Sequence, residues 1–233
     1  MRCMRTPAAA TLLMLTLATI PDRALAQDEG DIAAYAALSF TPLGGLVPLP
    51  PPGTAARGSA FLLRYGNLDF GFGSLHNIAV GADLAAGRGR LGLTLGGTTC
   101  DDCDGNIMAG VDYTIPLTQT RALLALRPAF GFSKPLEGDG TAFAFGVTAP
   151  IGFELSESTG PIFIPYLTPG LGFGRISGGE DSESGMRPML GGGLSIAGRS
   201  GTFAVNLGFS KVFIDEGETT FGFGLAFGRR SAP

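Results

Sequence analysis

The stretch TAFAFGVTAPIGFEL, residues 141–155, decides the fold. Phe143, Phe145, Val147, Ala149, Ile151, Phe153 and Leu155 hold one phase of a two-residue alternation. Ala144, Gly146, Thr148, Pro150, Gly152 and Glu154 hold the other. Side chains of a strand point alternately to opposite faces, so this segment has one oily face and one nearly bare face. A soluble sandwich or barrel buries its oily face and clothes the other in Lys, Glu and Arg. Here the second face carries glycine, alanine and threonine, which solubilise poorly and, for glycine, weaken a strand. In a membrane barrel lipid takes the oily face, and small or polar residues line the interior. A transmembrane strand is therefore expected. The alternative is a soluble secreted β-barrel binding protein with its Phe face inside.

The same alternation recurs along the chain. It places apolar residues at Leu91, Leu93, Leu95; at Ile107 to Leu117; at Ala122 to Phe132; at Phe203 to Phe209; and at Phe221 to Phe227. Eight strands follow, over 88–99, 106–117, 121–133, 141–155, 161–176, 186–197, 202–214 and 219–229. Upstream, Phe61, Leu63 and Tyr65 mark a strand over 61–66, and Ile78, Val80, Ala82 and Leu84 one over 77–85. Leu68, Phe70 and Phe72 fall in the opposite phase, which predicts a bulge or turn at Gly66-Asn67. The expected fold is all-β, an antiparallel up-and-down transmembrane β-barrel of about ten strands. Eight strands stay open, as do twelve if residues 32–40 add one and the chain crosses twice around Gly66-Asn67.

Composition agrees. Charged residues are 15% of the chain, against about 25% in ordinary soluble domains. There are 38 glycines, 17 phenylalanines and no tryptophan among 233 residues. Residues 1–26 read as a signal peptide, with Arg2 and Arg5 before an apolar run from Ala8 to Ile20 and Ala24-Leu25-Ala26 before Gln27. Cleavage there removes three arginines and one aspartate, which moves the formal charge from −4 to −6. Residues 27–58 then form an N-terminal segment, and 59–230 the barrel.

Connections alternate in character. Ala85 to Gly89, Thr118 to Thr120, Ser156 to Gly160 and Ala197 to Gly201 are compact. CDDCDG (100–105), KPLEGDG (134–140) and SGGEDSESG (177–185) are longer, and these three and DEGE (215–218) are acidic. Short periplasmic turns and longer outside loops are the pattern of outer-membrane barrels. TPLGGLVPLPPPGTAARG, 41–58, breaks the rhythm, since its prolines cannot donate to a ladder and favour extended polyproline II. A linker or long loop is the ordinary reading, and a partner-binding or pore-occluding segment the sharper one.

In this pattern, over about residues 59–229, the chain resembles the small outer-membrane β-barrel proteins of Gram-negative bacteria, the OmpA, OmpX and OmpW-like group. Phe221, Phe223, Leu225 and Phe227 are similar to the final strand that the assembly machinery of such barrels reads, although Gly228 to Pro233 follow it. The resemblance implies residence in the outer membrane, among lipid and lipopolysaccharide.

Several residues are candidates for chemistry. Arg64, Asp83, Asp112, Arg127 and Glu154 lie in the inward phase, where charges in membrane proteins normally pair. They read as an ion-pair ladder filling the lumen or as a selectivity lining. Asp112 and Arg127 sit near mid-strand on neighbouring strands and could oppose each other. Cys100 and Cys103, in an exported chain, suggest a small disulfide clasp more than a metal site. His76, two residues from Ser74 on one face, raises a lipid-modifying enzyme as a minor alternative. No phosphate loop and no basic patch is present, so neither a cofactor nor nucleic acid is expected. The leading expectation is a non-enzymatic, porin-like barrel giving passive small-solute permeability or envelope integrity. A surface-interaction barrel, whose acidic loops bind cations, lipopolysaccharide or a partner, is the runner-up.

Overall fold

A computed structural model describes residues 35–52, 59–69, 74–100, 103–136, 140–156, 160–178, 181–213 and 219–228. Its strands are β1 (Ala60–Asp69), β2 (Ser74–Ala86), β3 (Gly89–Cys100), β4 (Cys103–Gln119), β5 (Ala122–Pro135) and β6 (Gly140–Thr148). They continue as β7 (Ile151–Phe153), β8 (Leu155–Ser156), β9 (Ile162–Gly178), β10 (Asp181–Ala197), β11 (Phe203–Val212) and β12 (Thr219–Gly228). All pair antiparallel, and β12 pairs β1, so the sheet closes on itself.

The opening stretch forms one stave of the cylinder in three pieces, β6, β7 and β8. Arg127↔Thr148 and Leu124↔Ile151 lie on a single unshifted register with β5. Thr148↔Gly170, Ile151↔Leu167 and Leu155↔Phe163 do the same with β9. Pro150 has no N–H and interrupts the ladder without inserting a residue. Its carbonyl still accepts from Ala125 N at 3.0 Å, and Ala149 N donates to Pro169 O at 2.8 Å. The barrel therefore has ten staves, as the alternation predicts.

Three expectations need correction. No bulge or turn occurs at Gly66-Asn67, because Tyr65↔Ile78, Gly66↔Asn77 and Asn67↔His76 keep one register through β1. Leu68, 1% exposed, faces inward in phase with Leu62, so an apolar inner residue mimicked a phase change. Phe70 and Phe72 lie outside the described residues. Nor do the described residues of 32–40 add a strand, since Tyr35–Ser39 is a single helical turn and a half, and 32–34 lie outside the described residues. Finally, the strands reach further into the acidic connections than expected. β9 and β10 leave only 179–180 between them, and β3 and β4 only 101–102.

The two faces of the wall follow the sequence closely. Phe145 is 53% exposed on the outside while its neighbour Ala144 is 1% exposed inside. Phe61, Leu95, Leu171 and Phe221 project outward in the same way from four other strands. A belt of this extent exceeds the few hundred Å² of contiguous apolar surface that soluble monomers tolerate. Hydrocarbon is its matching solvent. At one end the staves join by compact turns and the chain enters β1 and leaves β12. That end includes Gly87, whose φ of 59° at the first central position of a two-residue hairpin suits a type II′ turn. The strand ends that flank the acidic connections gather at the other end.

Residues 35–52 occupy the interior of the cylinder. The helical turn forms because Ala36 and Ala37 are strong helix formers and stops where Pro42 disfavours the α region for Thr41. Thr41 Oγ1 donates to Leu38 O at 3.1 Å, and Gly44 N donates to the same carbonyl at 3.1 Å. Tyr35 and Leu38 pack against Ala144, Met189 and Val212 near the loop end. Leu46 packs on Ala79 and Met108 further down. The prolines then run toward the turn end, where β1 begins. Segment 41–52 is thus a packed element of the core and not a free linker.

This packing explains the bare inner face. A Cβ on Gly66 would stand 2.5 Å from Gly45 O, and one on Gly146 2.5 Å from Leu43 Cδ2. On Gly172 it would meet Leu38 Cδ2 at 2.6 Å, on Gly191 Pro48 Cγ at 2.5 Å, and on Gly152 Pro51 Cγ at 2.8 Å. Strand glycine commonly marks the close approach of another backbone. Here the approach is made by a segment of the same chain, through a carbonyl at Gly66 and through side chains at the other four glycines.

Candidate functional site

The lumen is the site that the inward phase defines. Asp83, Arg90, Asp112, Arg127 and Arg64 project into it from β1 to β5. Arg90 Nε bonds Asp83 Oδ2 at 2.7 Å across the β2–β3 hairpin. Arg127 Nε lies 3.7 Å from Asp112 Oδ1 and donates to Thr114 Oγ1 at 2.7 Å. The opposition of Asp112 and Arg127 arises because β4 and β5 pair Asp112 with Ala129, two residues from Arg127 on the same face. Arg64 Nη2 donates to Thr94 Oγ1 at 2.5 Å. Glu154 stands apart from these five, at the turn-end rim beside Arg121 and Pro161.

The buried guanidinium of Arg127 does more than pair with Asp112. Its Nη1 donates to Leu49 O at 2.8 Å and its Nη2 to Pro50 O at 3.1 Å. Tyr166 Oη donates to Pro48 O at 2.9 Å. Asn77, fully buried, donates through Nδ2 to Gly45 O at 2.6 Å and accepts from Thr98 Oγ1. Four wall donors from three strands therefore satisfy four carbonyls of a segment that has no ladder of its own. Such buried carbonyls are costly when left unpaired, so these bonds fix the segment's seat. Among the described residues, spaces between segment and wall include one of about 70 Å³ near Asp83, Asp112 and Asn206, and one of about 50 Å³ near Leu43 and Arg64. Each has room for a few waters.

Sequence reading missed Asn77, Arg90, Tyr166 and Arg187, all of which project inward. The signal was present: each is a polar residue in the inward phase of its strand, alongside small or apolar neighbours.

Two other candidates lie elsewhere. His76 faces outward near the loop end, where its Nδ1 meets Tyr65 Oη at 2.8 Å and Asn67 Nδ2 at 3.0 Å. The Tyr65 ring stacks beside it at 6.0 Å. Among the described residues its partners are Tyr65 and Asn67, not Ser74. Cys100 and Cys103 are register partners across the β3–β4 hairpin. Their side chains, like residues 1–34 and most of the acidic loop positions, lie outside the described ones.

The fold and the site together define a closed transmembrane β-barrel filled by a segment of its own chain. No protein-family model and no curated protein matches it. Among solved structures it is similar to a bacterial polysaccharide outer membrane secretin, with 12% identity, a TM-score of 0.46, and coverage of 74% of this chain and 66% of that one. It spans about two thirds of that secretin chain. It is also similar to Ail, the attachment invasion locus protein of Yersinia pestis, with 16% identity, a TM-score of 0.35 and coverage of 72% and 96%. LpxR from Salmonella typhimurium gives 11%, 0.39, and 78% and 77%. Scores at this level add nothing to what the strand pairing already shows.

Proposed function

We propose that this chain is a non-enzymatic barrel of the bacterial outer membrane, closed at rest by residues 35–52. It contributes to envelope integrity, and small solutes cross only when that segment leaves the lumen. The observation that carries this reading is the seat itself, with Arg127, Tyr166 and Asn77 donating to Leu49, Pro50, Pro48 and Gly45. The expected leader peptide and the apolar belt support the location. Lipid and lipopolysaccharide would surround that belt, and the final aromatic strand would be read by the assembly machinery. A disulfide between Cys100 and Cys103 would clasp the tip of one hairpin.

The enzyme alternative has weaker support. A nucleophilic serine needs a base within hydrogen-bond reach. His76 is instead engaged by Tyr65 and Asn67.

The test is conductance in planar lipid bilayers. The mature chain is compared with one lacking residues 35–52, each shown to be folded by a gel-mobility shift on boiling. The mature chain should stay closed and the shortened one should conduct. Equal conductance from both would end the reading.

A further inference from the structure

The walls of the lumen and the segment that fills it are chemically mismatched in charge, and the mismatch points to a ligand class. Away from the rims, the described inward-facing residues include four arginines, Arg64, Arg90, Arg127 and Arg187, against two aspartates, Asp83 and Asp112. The rims add Glu154 at the turn end and Glu183 at the loop end. Residues 35–52, YAALSFTPLGGLVPLPPP, contain no charged side chain at all. What they present to the polar side chains of the wall is carbonyl oxygen. Arg127 donates to Leu49 O and Pro50 O, and Tyr166, close to the same arginine, donates to Pro48 O.

A fork of guanidinium N–H groups is the geometry that recognises planar pairs of anionic oxygens. In the closed barrel two backbone carbonyls fill that role for Arg127. On the opposite wall Arg64 reaches Thr94 and has Asp112 as its neighbour across the lumen. Resting on the closed-barrel reading above, we propose that the mid-lumen, once residues 35–52 withdraw, is an anion-selective constriction built on Arg64 and Arg127. Small inorganic anions and carboxylates are the class it passes. The segment's carbonyls hold the places that those anions take. Focusing of the arginine field by low-dielectric walls makes a small excess of charge effective in a narrow passage.

The probe is potassium chloride in planar bilayers, with a tenfold concentration gradient across the membrane to read selectivity from the reversal potential. Two opened forms are used. One lacks residues 35–52. The other keeps the full mature chain and carries Gly131→Phe. The nearest neighbours of a Cβ at Gly131 are Thr41, Leu43 and Pro42, at 2.9, 3.1 and 3.2 Å, so a large side chain there displaces the segment while leaving every charge in place. Both opened forms should prefer chloride severalfold, and Arg64→Gln with Arg127→Gln should abolish that preference on either background. Conduction without chloride preference, or with preference for potassium, would overturn the anion assignment and leave the closed-barrel reading standing. Folded opened forms that carry no current would overturn both. A mature chain as conductive as the opened forms would overturn the closed-barrel reading, and its reversal potential would still test the arginines.

Discussion

The two halves of the lumen hold the same segment by different physics. Near the loop end, Tyr35 and Leu38 sit among Ala144, Met189 and Val212, an apolar contact with Leu38 fully buried. Near the turn end, Pro48 and Pro51 lie on Gly191 and Gly152, and the wall also holds carbonyls through Arg127 and Tyr166. Apolar packing is non-directional and scales with area removed from water. Hydrogen bonds to a charged donor are directional and fail as a unit when the donor is lost. One end of the segment is therefore held by shape alone, and the other by shape and a latch.

The contrast can be broken at either end. Arg127→Ala should have the largest effect, because it frees two carbonyls and also leaves Asp112 without its guanidinium. Removing one partner of a buried pair costs about 3–5 kcal/mol. The loss should appear as rapid proteolysis within residues 41–52 of detergent-solubilised protein, with the barrel's boiling-dependent mobility shift retained. Arg127→Lys keeps the charge without the two-pronged geometry, so protection should return only in part. Leu38→Ala should come next, at about 2–4 kcal/mol for a large-to-small change in a filled site. It should release the loop-end half first, so cleavage should begin nearer Thr41 than Pro50. Tyr166→Phe should be the mildest, about 1 kcal/mol for one neutral hydrogen bond. If Leu38→Ala and Arg127→Ala released the segment at the same sites, the two-halves description would be wrong.

The outer half of this fold was legible in the sequence because lipid imposes a strict rule. Phe143, Phe145, Ile151, Phe153 and Leu155 alternate without exception, and the register across Pro150 stays unbroken as that alternation requires. The filling of the lumen was much less so. Residues 35–52 have no period, since they pair with no strand, and their fit to the wall is a matter of shape. The inner glycines were visible but ambiguous, because a wet lumen and a packed one both suit small residues. Leu62 and Leu68 were the better clue. Two apolar side chains on the inward phase of β1 make sense only if something apolar meets them, and reading Leu68 as a change of phase hid it. Asp112 and Arg127 were placed together correctly by phase and depth alone. That Arg127 also holds two carbonyls depends on a contact between residues 77 and 78 positions apart, which no local pattern reports.

The seam of the cylinder joins Ala60–Leu68 to Thr220–Gly228. Closure therefore waits for the last strand, whereas the material inside precedes the first. The cylinder has to be wrapped around its own beginning, or that beginning has to be drawn in through an open end afterwards. Wrapping makes the most distant pairing in the chain the final event, a slow step by the loop entropy it must overcome. A seam zipped first would leave an empty ring until the segment is threaded in. Maturation of this barrel is thus a question of order as much as of stability.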